Sequence, residues 1–182
     1  MTVVRTIADL IDEAGSGRGL VLVGIGGHGA AGKSTLATRI ADVVPGVQIV
    51  ATDVFFDGHQ FDLQRLRTDV VDELLAGRSP TYEPWGWAEG APSGTAVAVE
   101  PNGVVVIEGV CALHEMFRHD LDVRVWVNAP TDVRLDRAVA RDGESSRSTW
   151  MEVWMPNEDA YIARDRPVEC ADIVVDGTHP FD

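Results

Sequence analysis

Residues 20–35 read Leu-Val-Leu-Val-Gly-Ile-Gly-Gly-His-Gly-Ala-Ala-Gly-Lys-Ser-Thr. The apolar run at 20–25 shows no polar alternation, which predicts a strand buried on both faces of a parallel sheet. Gly27-His28-Gly29-Ala30-Ala31-Gly32-Lys33-Ser34 then fits G-x-x-x-x-G-K-[ST]. A helix is predicted from about 34 to 43, stopped at Pro45-Gly46. These residue types suit a phosphate cradle. Small residues let successive main-chain N–H groups curl around phosphate oxygens, and the helix N-terminus adds positive potential. In such a cradle Lys33 bridges the β- and γ-phosphates of a nucleotide and the Ser34 hydroxyl ligates Mg²⁺. The predicted nucleotide site is therefore residues 27–35, ending at Thr35, with His28 read as a spacer.

The same stretch has rival readings. It could be a chance glycine-rich turn with a solvent-facing lysine. Gly24-Ile25-Gly26-Gly27-His28-Gly29 fits G-x-G-x-x-G, with Asp53 ending the next predicted strand where a ribose-binding acid would sit. That makes a dinucleotide-binding oxidoreductase, but it leaves Gly32-Lys33-Ser34-Thr35 without a role. A switch GTPase needs an Asn-Lys-x-Asp motif, and the only lysine is Lys33. A non-catalytic nucleotide-binding protein also fits, because a cradle can persist where acceptor chemistry does not.

Composition narrows the classes. The chain has 182 residues, 45% hydrophobic and 24% charged, as expected for one soluble globular domain covering 1–182. No apolar run approaches the roughly 20 residues of a membrane helix. Residues 1–14 carry Asp9, Asp12 and Glu13, not a basic-then-apolar leader, so a cytoplasmic protein is expected. The net charge of −14 argues against partners such as nucleic acid or an anionic membrane. Cys111 and Cys170 form no closely spaced pair and read as reduced, core or near-core residues. Fourteen arginines accompany the single lysine, and that lysine lies in the glycine-rich turn.

Further along, helices are predicted at 2–14, 63–76, 111–119, 131–141 and 156–164, and strands at 47–51, 104–107, 123–127 and 173–175. Thr131 or a neighbour is the expected cap of its helix. Residues 79–103, rich in proline and glycine, read as a substrate-side excursion with a short strand at 96–99. Alternating strands and helices imply a parallel sheet covered on both faces, with ligands at the carboxyl ends of the strands.

Two carboxylates fall there. Asp53 can take the proton of an acceptor hydroxyl or hold Mg²⁺ through water; its bland alternative is a cap. Glu108 ends the third strand, where an acid commonly anchors Mg²⁺, and could instead be a structural acid bonded to the loop. Asp57 is a weaker candidate. Arg134, Arg137, Arg141 and Arg147 follow at helical and loop spacing. Arg134 reads as part of a solvated helix face. Arg141, oriented by Asp142, and Arg147 read as a lid at about 134–150 that stabilises the transferring phosphoryl group.

The assembled pieces resemble the uridine kinase and phosphoribulokinase family of P-loop kinases. They are the phosphate loop, Asp53-Val54-Phe55-Phe56, Val106-Ile107-Glu108-Gly109-Val110, Asp132-Val133-Arg134-Leu135 through Arg141-Asp142 to Arg147, and Ala171-Asp172-Ile173-Val174-Val175. They run in family order over nearly the whole chain. The resemblance implies a P-loop NTPase α/β/α sandwich with five parallel strands in order 2-3-1-4-5 and a helical lid. It implies ATP and Mg²⁺, Asp53 as general base, Ser34 and Glu108 serving the metal, and Arg141 and Arg147 serving the phosphates. The family's Pro-x-Tyr-Asp stretch is replaced here by Thr81-Tyr82-Glu83-Pro84-Trp85-Gly86-Trp87, which puts uridine itself in doubt. No Lys or Arg occurs between Arg78 and Arg118, so a neutral or weakly charged small-molecule acceptor is expected. Phe55, Tyr82, Trp85 and Trp87 are the candidate acceptor contacts, with core packing as their alternative. A homodimer is compatible with this reading.

Overall fold

The structure, a computed structural model, describes residues 2–56 and 60–182. The decisive apolar run becomes β1 (Leu20–Gly27), the middle of a five-stranded parallel sheet. The other strands are β2 (Gln48–Ala51), β3 (Gly103–Glu108), β4 (Val123–Asn128) and β5 (Ile173–Asp176). Their order is β2-β3-β1-β4-β5. Val23 sits opposite Val106 on one side and Val123 on the other.

Alternate residues of each strand enter opposite cores, which is why the sequence runs show no polar alternation. Val21, Val23 and Ile25 meet Val104, Val106, Val123 and Val125 on one face. That face is covered by α1 (Val3–Gly15), through Ile7 and Ile11, and by α2 (Lys33–Val43), through Leu36 and Ile40. Leu22, Val105, Ile107 and Trp126 point the other way, onto Leu66, Val70, Leu74, Leu113 and Phe117. Leu66, Val70 and Leu74 belong to α3, which runs as Leu63–Leu66, a π-helical turn Arg67–Val71, and Asp72–Leu75.

Two local expectations are corrected. Residues 111–119 are not a helix: successive turns lead into a 3-10 turn at Arg118–Asp120. The segment lies too close to the sheet for a helical cylinder about 10 Å wide. A Cβ on Gly24 would stand 2.5 Å from Leu121 Cδ1 and 2.7 Å from Leu113 Cδ2. The helix expected to be begun by Thr131 or a neighbour does start there: α4 spans Thr131–Asp142 with Pro130 at the cap position, and Thr131 Oγ1 accepts from Arg134 Nη2 at 3.1 Å. Second, the helix expected at 156–164 begins far earlier. This helix, α5, comprises Arg147–Thr149, a π-helical turn Trp150–Trp154, and Met155–Asp165. In the π turn Met155 N donates to Trp150 O, five residues back. The ladder has therefore shifted where Pro156, lacking an N–H, would otherwise break it.

Residues 79–103 fold as two small antiparallel ladders, Thr81–Tyr82 with Val97–Ala98 and Trp85–Gly86 with Ala91–Pro92. Among the described residues no helix is long and apolar enough to cross a membrane.

Candidate active site

β1 ends at Gly27 and α2 begins at Lys33, so the intervening residues bend tightly over the carboxyl edge of the sheet. The bend uses positive φ at Gly27 (152°), Ala30 (58°) and Gly32 (108°). A Cβ on Gly27 would meet Val127 O at 2.4 Å. Ala30 is the one alanine in a left-handed conformation, which costs about 1 kcal/mol. Gly24 and Gly26, by contrast, lie inside β1 and make room for Leu113, Leu121 and Trp126. The glycines that suggested a dinucleotide fingerprint are thus packing residues of the strand.

Within the bend Lys33 Nζ donates to His28 O at 2.7 Å. Ser34 Oγ donates to Glu108 Oε1 at 2.9 Å. Glu108 is the last residue of β3 and Asp53 lies on the 3-10 turn Thr52–Val54 after β2. The two strand ends are in contact: Gly109 has φ 146°, and a Cβ there would stand 1.9 Å from Thr52 Oγ1. Burial pushes the Lys33 ammonium below its ordinary pKa, and the carboxylates of Glu108, Glu158 and Asp53 offset this in that order. Burial likewise raises Glu108, opposed by Lys33 and by the Ser34 hydroxyl. A hydroxyl, one buried carboxylate and one exposed carboxylate beside the loop form a hard-oxygen donor set of the kind Mg²⁺ prefers.

Arg141 is held by Asp142, with Nε to Oδ1 at 2.7 Å and Nη2 to Oδ2 at 2.9 Å. Its guanidinium lies 5.7 Å from the centroid of the Trp150 ring, and its charge acts on Lys33 and Asp53. Trp150 Nε1 also donates to Asp142 Oδ2, at 2.9 Å. Arg147 instead pairs with Glu144, at 2.5 Å, in the connection between α4 and α5. The geometry does not bring it to the cradle.

Arg134 departs most from its expected place. It is 3% exposed, not on a solvated face. Nη1 stands 3.5 Å from Glu158 Oε2, and among the described residues neither Nε nor Nη1 has a hydrogen-bond partner. Glu158 accepts from Gly29 N at 3.0 Å. A Cβ on Gly29 would meet Glu158 Oε1 at 2.5 Å and Trp150 Cζ3 at 2.6 Å, so α5 rests directly on the loop. His28 is packed beside the same group. Its ring stands edge-on to Trp126 at 5.8 Å, and Nε2 is 3.4 Å from Asp159.

The acceptor-side expectations divide. Phe55 is fully buried, packs on Tyr82 at 4.8 Å between ring centroids, and Tyr82 is buried with it. Both belong to the core and not to a contact surface, because the chain after β2 turns Phe55 inward. The neighbouring Phe56 faces the other way. It meets Trp87 at 4.8 Å, and Phe61 and Trp85 each at 5.6 Å. Trp154 of α5 completes this wall, 6.3 Å from Phe61 and 6.5 Å from Trp87. Trp85 and Trp87 thus share a surface with Phe56, Phe61 and Trp154. Asp57 lies outside the described residues.

Sequence reading missed Arg134, Glu158, Phe56 and Trp154 as members of the site. The usable signal was the spacing Trp150, Trp154, Glu158, one helical face, had Pro156 not been taken as the helix start.

No protein-family model matches the chain. A uridine kinase of Halobacterium salinarum is 30% identical over 139 residues, 66% of this chain and 61% of that protein. The chain is thus similar to uridine kinases of the P-loop class. It spans about three fifths of that relative's length. An inorganic pyrophosphatase of Arabidopsis thaliana is also 30% identical, over 136 residues, 68% of this chain but 20% of that protein. Likeness of fold extends over nearly the whole chain. The structure of a possible uridine kinase from Bacillus stearothermophilus superposes with a TM-score of 0.67 at 18% identity, covering 94% of this chain and 100% of that one.

Proposed function

We propose that this chain transfers the terminal phosphoryl group of ATP to a hydroxyl of an uncharged, ring-bearing small molecule. The observation that carries this reading is the meeting of Lys33, Ser34, Glu108 and Asp53 at one end of the sheet, around a loop of small residues. Loop amides and the Lys33 ammonium hold the β- and γ-phosphates once Lys33 exchanges the His28 carbonyl for phosphate oxygen. Ser34 and Glu108, with Asp53 close by, would hold Mg²⁺, which supplies charge neutralisation between the β- and γ-phosphates when bound. Asp53 accepts the acceptor's hydroxyl proton as the new O–P bond forms, and ADP carries away the electrons of the broken bond. Arg141, steadied by Asp142 and Trp150 and acting on Lys33 and Asp53, would stabilise the negative charge that develops on the transferring group.

The acceptor class follows from the wall. Phe56, Phe61, Trp85, Trp87 and Trp154 offer ring faces and edges to a planar group. No Lys or Arg lies between Arg78 and Arg118, and nearby Arg65 is committed to Glu83 O and Asp69. Among the described residues, an acceptor bearing its own phosphate would find no free cation there.

The test is a pair of variants read by calorimetry with ATP–Mg²⁺ and by coupled ADP release over a panel of nucleosides, vitamins and sugar acids. Lys33→Ala should lose ATP binding. Asp53→Asn should bind ATP within about threefold of wild type, yet lose at least about a hundredfold in turnover. Full turnover in Asp53→Asn would remove the general base, and no heat with the wild-type chain would remove the nucleotide site.

A further inference from the structure

The cradle described above already contains an anion. Glu158 is 8% exposed, and its Oε2 accepts the Gly29 amide at 3.0 Å. Its other oxygen covers the side of Gly29 where a Cβ would stand, next to the Trp150 ring. Its charge reaches the Lys33 ammonium more strongly than that of Asp53 does. The carboxylate thus sits among the positive groups that a phosphate would seek.

The counter-ion is unusual as well. Arg134 is more deeply buried than Glu158 and pairs with it only loosely, at 3.5 Å. The Thr131 hydroxyl accepts from Nη2, but Nε and Nη1 have no hydrogen-bond partner among the described residues. Buried guanidinium donors left without acceptors are costly, and a second acceptor beside them would relieve that cost. His28 and Asp159 lie around the same group, the imidazole feeling the Arg134 charge. None of them supplies the missing acceptors.

We propose that Glu158 is a resident substitute for phosphate, displaced when nucleoside triphosphate enters, and that Arg134 then turns its unpartnered donors to a phosphate oxygen. The inference rests on the nucleotide reading above and adds two residues to it. Expelling a buried carboxylate by a polyanion sets a threshold. Ligands with three phosphates cross it more readily than those with one, because each phosphate adds attraction to Lys33 and Arg134. The empty loop meanwhile keeps its shape with its Gly29 donor satisfied.

Glu158→Gln tests this, since the amide keeps a carbonyl for Gly29 N and removes only the charge. Calorimetry with ATP, ADP and AMP, each with Mg²⁺, should show ATP bound about tenfold more tightly than by wild type. ADP should gain less and AMP nothing. Equal changes for all three nucleotides, no change, or weaker ATP binding would overturn the proposal. A variant that fails to fold is bypassed by a crystal structure of the wild type with a non-hydrolysable ATP analogue. The Glu158 carboxylate should then have left Gly29 N, and Arg134 should contact phosphate. Persistence of the Gly29–Glu158 bond in that complex would rule the displacement out. Wild-type protein giving no heat with ATP would instead remove the nucleotide reading itself and the proposal with it. Normal wild-type binding with an unresponsive Glu158→Gln removes the proposal alone.

Discussion

Burial and the Arg134 guanidinium push the His28 imidazole down to about 4, against the partial support of Asp159. In the folded chain the ring is therefore neutral across the range where an unfolded histidine gains its proton, near 6.5. The sign follows from linkage: the depressed group stabilises the fold above about pH 6.5 and loses that contribution as pH falls toward 4. His28→Asn should remove about 2 kcal/mol of the acid-induced loss between pH 7 and 4.5, measured by urea denaturation at both values. An identical pH dependence in variant and wild type would mean that the ring is solvated in the native state. Single residues were also where sequence reading was least secure. Asp53 and Glu108 follow apolar runs and could be placed at strand ends by inspection. Arg134 could not be placed, because its burial depends on Glu158, twenty-four positions away, and no local pattern reports such a partner.

At the scale of elements, α5 joins the two halves of the site. Trp150 lies against the phosphate loop and under Arg141, whereas Trp154, one turn on, meets Phe61 and Trp87 in the acceptor wall. Their separation predicts separable effects. Trp154→Ala should raise the KM of the acceptor about tenfold and leave the Kd of ATP within about twofold. Trp150→Ala should weaken ATP about tenfold and also lower Tm, since the buried ring supports both the loop and Asp142. Matching losses of ATP affinity in the two variants would contradict this division. The helix itself was only half legible. Its later part shows in the sequence, but the π turn that carries the chain past Pro156 has no propensity signature. The 63–76 helix was legible despite its own π turn, because Leu66, Val70 and Leu74 keep one apolar face. The segment after β3 misled, since its apolar residues are spaced by the need to fill the surface over Gly24 and Gly26.

For the molecule as a whole, the doubly covered sheet was readable because runs such as Val104–Ile107 have no polar face to offer, and only a layer on each side can cover them. The strand order came from likeness to a family, not from the runs themselves. In a chain of net charge −14 whose other permanent side-chain cations are all arginines, Lys33 is the exception. That exception has a practical side, because the sole lysine is also buried, with Nζ tied to the His28 carbonyl. An acylating reagent that attacks neutral amines has no other side chain to modify here. Intact-mass spectrometry should show slow addition of one side-chain adduct, suppressed at least about tenfold by saturating ATP–Mg²⁺. Labelling indifferent to nucleotide would place the ammonium away from the phosphates. With its lone side-chain amine serving as a built-in occupancy gauge, the chain could be screened against ligands without a dye, a tag or a known product.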